Sequence, residues 1–80
     1  MFEVRMPQLG MGVQEAQVVR WLKAVGDRVA ADEPLLEIET AKTTSEIAAP
    51  VTGVLAALLA HEGETVAVYD VIAQIEEGAR

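Results

Sequence analysis

The apolar residues of this chain come in short bursts, divided by glycine, proline and acidic residues. "LLEIE" at 35–39 and "VIAQIE" at 71–76 read as strands. Glu37–Thr40 and Thr44–Ala48 also read as strands and leave Ala41, Lys42 and Thr43 to turn the chain, although none of these is Gly, Pro, Asn or Asp. Two stretches point the other way. "EAQVVRWLKAV" at 15–25 and "VLAALLAHE" at 54–62 pass as helix on residue preference alone.

An internal repeat decides between the two readings. Shifted by 37 residues, "LKAVGDRVAADEPLLEIE" (22–39) falls without a gap on "LAHEGETVAVYDVIAQIE" (59–76), with six identities in eighteen positions. Leu22, Gly26, Val29, Ala30, Ile38 and Glu39 meet Leu59, Gly63, Val66, Ala67, Ile75 and Glu76. In each copy an apolar segment ends at Gly plus an acid, a short strand follows around the valine, and a turn at Asp32-Glu33-Pro34 or Tyr69-Asp70 leads into the next strand. The helix-like stretches hold equivalent places in this strand-like unit and are assigned as strands, since β preference depends on context. Neither copy can bury its apolar face alone. The expected fold is all-β: a flattened barrel or sandwich of two roughly four-stranded antiparallel sheets about a pseudo-twofold axis, forming a single domain over 1–80. The lysine hairpin and the termini are expected at opposite ends. Trp21 and Leu22, adjacent on a strand, face opposite ways.

Composition narrows the function. With 80 residues there is room for one core. A formal charge of −7 opposes nucleic-acid phosphates. The longest apolar run, "VLAALLA" at 54–60, is too short to span a bilayer, and "MFEVRMPQLG" carries an acid and a proline where a signal peptide needs a basic start and a longer apolar core. No nucleic-acid or membrane partner is expected, and a cytoplasmic location fits the absence of cysteine. One histidine and no cysteine leave nothing from which to build a nucleophilic triad or a zinc site, so no catalytic or metal residue is expected. His61 reads as a surface residue.

The remaining candidate chemistry is the amine of Lys42, held by two strands at a hairpin tip. The stretch "MPQLGMGVQEAQVVRWLKAVGDRVAADEPLLEIETAKTTSEIAAPVTGVL" resembles the lipoyl domain of the acyltransferase component of 2-oxo acid dehydrogenase complexes, within the biotin/lipoyl attachment family. Glu39-Thr40-Ala41 precedes Lys42 where the family has Glu-Thr-Asp, Glu46 and Ala49-Pro50 follow at the family's offsets, and Gly26 and Gly53 stand sixteen residues before and eleven after the lysine. Ala41 departs from the family's usual aspartate, a good turn residue whose loss is expected to weaken the hairpin.

The resemblance implies lipoate joined to Lys42 as an amide by a lipoate ligase or octanoyl transferase. It also implies partners: a thiamine-dependent 2-oxo acid decarboxylase, the acyltransferase core and dihydrolipoamide dehydrogenase. The domain itself would be a swinging-arm carrier of acyl groups and reducing equivalents and not a catalyst, though it could be the front of a dihydrolipoamide acyltransferase. Glu39, Thr40, Ala41, Thr43, Glu46 and Met11 are candidate recognition residues for ligase or partner enzymes, and Gly26 and Gly53 are structural glycines. The loop "LGMGV" at 9–13 corresponds to one that lies near the lysine in the family. Two rival readings stay open: a biotin carrier, whose lysine is normally flanked by methionines, and an unmodified scaffold domain in which Lys42 is only a solvated turn residue.

Overall fold

At the start of the stretch 15–25, burial with a period of two overrides helix preference, though the strand ends at Trp21 and the expected continuation over 22–25 is not strand. Ala16 and Val18 are buried while Glu15 and Gln17 are exposed, so the segment lies in a sheet with one face in the core. The same holds for Gly53 and Leu55, buried between less buried neighbours. The computed structural model describes residues 1–78. Among them the regular structure consists of eight strands: β1 (Phe2–Arg5), β2 (Glu15–Trp21), β3 (Arg28–Val29), β4 (Pro34–Glu39), β5 (Thr44–Ala48), β6 (Gly53–Leu58), β7 (Thr65–Ala67) and β8 (Val71–Glu77). They form two four-stranded sheets, ordered β1-β8-β6-β3 and β5-β4-β2-β7. Every pairing is antiparallel.

The 37-residue repeat extends to single hydrogen bonds. Gly26 N–H donates to the Leu55 carbonyl and Gly63 N–H to that of Val18, both at 2.8 Å. Leu22 N–H donates to Leu35 at 2.8 Å and Leu59 N–H to Ile72 at 2.9 Å. The register break between Val18 and Arg20 in the β2–β4 ladder recurs between Leu55 and Ala57 in β6–β8. Even the left-handed residues match: Gly26 with Gly63 (φ 96° and 85°), and Asp32 with Tyr69 (φ 74° and 76°). Strand β1 lies on β8 as β5 lies on β4, so the two sheets are related by a pseudo-twofold.

Both sheets contribute to one core, with Val4, Leu55, Ile72 and Ile75 from the first and Ala16, Val18, Leu36, Ile38 and Ile47 from the second. Burying a side chain such as Ile38 contributes about 1.5–3 kcal/mol before entropy is counted. Ile38 and Ile47 thus root both strands of the lysine hairpin. Neither Trp21 nor Leu22 is fully buried. Trp21 packs against the edge of the core and its indole N–H donates to the Ala60 carbonyl at 2.9 Å.

Strand β8 runs from Val71, beside Arg5, to Glu77, beside Gly53. Its Val71 end adjoins the start of β2, because Val68 N–H donates to the Gln14 carbonyl at 2.9 Å. Glu15 at that start lines a groove together with Lys42. Phe2 and Glu77 therefore lie at the end of the sandwich away from Lys42. At their end Gly53 is required: a Cβ there would sit 2.3 Å from the Glu76 carbonyl oxygen and 2.8 Å from Ile75 Cγ2.

Candidate functional site

The β4–β5 hairpin closes one residue earlier on the β4 side than the sequence suggests. Glu39, not Thr40, stands opposite Thr44, and Ile38 opposite Ser45. Thr40 belongs to the turn. A shift of one residue changes the face on which every side chain lies relative to its partners. Its consequence is that Glu46 faces Glu37 rather than Ile38. Glu37 in turn is ion-paired to Arg20 on β2.

The turn explains why no glycine or asparagine is needed. Neither Ala41 nor Lys42 has a positive φ, so this is not one of the primed turns that demand such residues. The Thr40 hydroxyl fastens the turn instead. Its Oγ1 accepts from Lys42 N–H at 3.3 Å and from Thr43 N–H at 3.2 Å, and donates to the Thr43 carbonyl at 3.2 Å. Thr40 N–H also donates to that carbonyl, at 2.8 Å. A hydroxyl that accepts backbone amides two and three residues on performs the task expected of an aspartate. The expectation that Ala41 leaves the hairpin short of a stabiliser is therefore corrected: Thr40 already takes the Thr43 amide, the one two residues on that a carboxylate at position 41 would have sought.

The chain has two lysines, and they differ. Lys23 is largely buried along its side chain, and its ammonium lies 3.1 Å from Glu33. Lys42 is exposed at the turn, and none of the ion pairs among the described residues involves it. The Glu33 carboxyl is held below the usual carboxylate range, first by the Ala30 N–H it accepts at 3.1 Å and then by Lys23.

Beside the tip lies a groove of about 330 Å³, lined by Gly12, Val13, Gln14, Glu15, Thr40, Ala41 and Lys42. The 9–13 loop therefore does flank the lysine. Gly10 and Gly12 carry positive φ in this loop, and Met11 between them is 95% exposed. A second groove of about 300 Å³ shares Glu15, Thr40 and Ala41 and continues over Ala16, Gln17, Glu39 and Thr65. Of the sequence candidates, Thr40, Ala41, Lys42 and Thr43 form the tip, with Glu39 at its neck. Glu46 stands further down β5, and Gly26 and Gly53 lie outside the lining of both grooves. His61 is exposed, with its backbone N–H donating to Glu64 at 2.8 Å. No group of three or more His, Cys, Asp or Glu that could hold a metal occurs among the described residues. Sequence reasoning placed the loop ending at Val13 near the lysine but missed the groove residues Gln14 and Glu15, which the β2–β4 pairing brings to the hairpin.

A protruding amine on a hydrogen-bonded two-stranded tip fits covalent attachment of a cofactor, and comparison with known proteins agrees. The family model described as "Biotin-requiring enzyme", Biotin_lipoyl, matches residues 2–75. The chain belongs to the biotin/lipoyl family. Within this family, the chain is 48% identical over 96% of its length to a dihydrolipoyllysine-residue succinyltransferase component of the 2-oxoglutarate dehydrogenase complex from Bartonella vinsonii. It is 52% identical over 91% of its length to a dihydrolipoyllysine-residue acetyltransferase component of the pyruvate dehydrogenase complex from Corynebacterium glutamicum. It spans only 19% and 11% of those two relatives. The solution structure of the lipoyl domain of the 2-oxoglutarate dehydrogenase complex from Azotobacter vinelandii superposes with a TM-score of 0.78, at 29% identity, covering 98% of this chain and 99% of that one.

Proposed function

We propose that this chain is a non-catalytic lipoate carrier, with Lys42 as the point of attachment, serving a 2-oxo acid dehydrogenase complex. The observation that carries the proposal is the contrast between the lysines: Lys23 is tied to Glu33, while Lys42 is exposed on a tip whose backbone Thr40 fixes. The residues present fit the group, since an amide can form at the Lys42 amine without breaking any hydrogen bond or ion pair recorded among the described residues. When attached, lipoate supplies a disulfide that takes up an acyl group and reducing equivalents.

The protein's own residues hold and present it. Ile38 and Ile47 anchor the hairpin strands, Thr40 shapes the turn, and the exposed Glu39, Ala41, Thr43 and Glu46 offer the surface a lipoate ligase or octanoyl transferase would read. Met11, projecting from the neighbouring loop, is a further contact for a partner. A thiamine-dependent decarboxylase, an acyltransferase core and dihydrolipoamide dehydrogenase are the partners the reading requires, and the far position of Phe2 and Glu77 leaves the Lys42 end clear for them.

The test is modification by a lipoate ligase with lipoate and ATP, followed by peptide mapping. One lipoyl amide at Lys42 is expected, removing one positive charge from a formal −7. Modification at Lys23, or none with a ligase active on a control domain, overturns the proposal.

A further inference from the structure

We infer that the groove lined by Gly12, Val13, Gln14, Glu15, Thr40, Ala41 and Lys42 is a resting site for the oxidised lipoyl arm of the same molecule. The inference rests on the proposal that Lys42 carries lipoate. It departs from an arm that is free at all times.

Three features of the groove support it. First, Lys42 is itself part of the wall, so a chain attached to its amine begins at the groove and needs no diffusion to find it. Second, apart from the Glu15 carboxylate at its border with the adjoining groove, the lining offers surface for a neutral, mostly hydrocarbon arm ending in a disulfide ring. Val13 is half-buried and gives an apolar surface, Gly12 presents bare backbone, and Ala41 presents a methyl on the side of the tip. The adjoining groove, with Gln17, Glu39 and Thr65, is more polar and suits such an arm less well. Third, Ala41 borders both grooves at the position where the resembled family has an aspartate. A carboxylate at that point would add a second acidic charge to that of Glu15, and alanine avoids it. The departure from the family pattern, which the turn itself does not need because of Thr40, thus has a consequence for the arm.

A weak contact is sufficient. A short flexible tether gives an effective concentration on the order of millimolar. Contacts with millimolar intrinsic dissociation constants then fill the groove roughly half the time. A partner that binds the arm more tightly draws it out easily, so docking shelters the ring between encounters without blocking transfer.

The experiment is solution NMR on the lipoylated chain, after peptide mapping has placed the lipoyl amide. A chain that accepts no lipoate at Lys42 overturns both the carrier reading and this one. With Lys42 lipoylated, nuclear Overhauser contacts are expected from the arm methylenes and ring protons to the Val13 methyls and the Ala41 methyl. Amide shifts relative to the unmodified chain should reach Gly12, Val13 and Glu15. In lipoylated Ala41→Asp the contacts to Val13 should fall by at least about twofold, from a half-filled site toward an empty one. Shifts confined to 41–43 with no contact to Val13 refute the resting site while leaving lipoylation intact. Contacts to Gln17 and Thr65 in place of Val13 refute it too, in favour of the adjoining groove.

Discussion

Replacing Thr40 by valine removes one oxygen and keeps the β-branched shape, so it isolates the hydroxyl. That oxygen accepts from two amides, at 3.3 and 3.2 Å, and donates to one carbonyl at 3.2 Å. A neutral hydrogen bond nets about 0.5–1.5 kcal/mol. These three lie at the long end of the range, and water can replace them at an exposed turn, so their joint loss should amount to about 1–1.5 kcal/mol of local order. That corresponds to roughly a five- to tenfold increase in the open population of the tip, with the core strands unaffected. Amide exchange at Lys42 and Thr43 should quicken by that factor in Thr40→Val, and kcat/KM for lipoylation should fall by up to the same factor, because the ligase must then order the tip itself. Thr40→Ser, which keeps the oxygen, should retain most of both. The midpoint of global unfolding should move little. Equal exchange and equal lipoylation in Thr40→Val and the native chain would refute the assignment of the turn to this hydroxyl.

Gly53→Ala should destabilise the domain by about 1–3 kcal/mol, because a Cβ at 2.3 Å from the Glu76 carbonyl forces β6 and β8 apart; urea unfolding checks it, and an unchanged midpoint contradicts it. Glu33 supports the Ala30–Glu33 turn, and its folded pKa is lowered, so its contribution is present above the unfolded value of about 4.3 and is lost as pH falls through the folded value. Thermal melts of the native chain and Glu33→Gln should therefore differ near neutral pH and converge in acid; a gap that widens in acid has the wrong sign. Biotin ligase should leave the native chain largely untouched, and the double change of Ala41→Met with Thr43→Met should raise biotinylation, both read by avidin blot.

Much of the fold was legible because the chain states it twice. The 37-residue offset carried the strand assignment through 15–21 and 54–58, where residue preference favours helix, although the strands expected to run on to Val25 and Glu62 stop at Trp21 and Leu58. It also foretold a correspondence that reaches the φ angles of Gly26 and Gly63. Leu35 and Leu36 are both buried although adjacent in β4, because the register with β5 breaks between Pro34 and Leu36. Strict alternation does not anticipate such a break. The hairpin register was misjudged by one residue for a reason the sequence did contain. Pairing Thr40 with Thr44 would set Glu46 beside Ile38 on the core side, whereas the observed register turns Glu46 outward with Glu37. The lysine and its exposure could be read from the motif. The role of Thr40 could not, since a hydroxyl ahead of a turn becomes its fastening only once the turn type is known.

The central claim, that Lys42 carries lipoate, is tested most directly by intact mass and peptide mapping of the protein purified from its native host. The account predicts a single lipoyl amide, located on Lys42. Biotin on Lys42, or an unmodified Lys42 in cells whose other lipoyl proteins are modified, would contradict it.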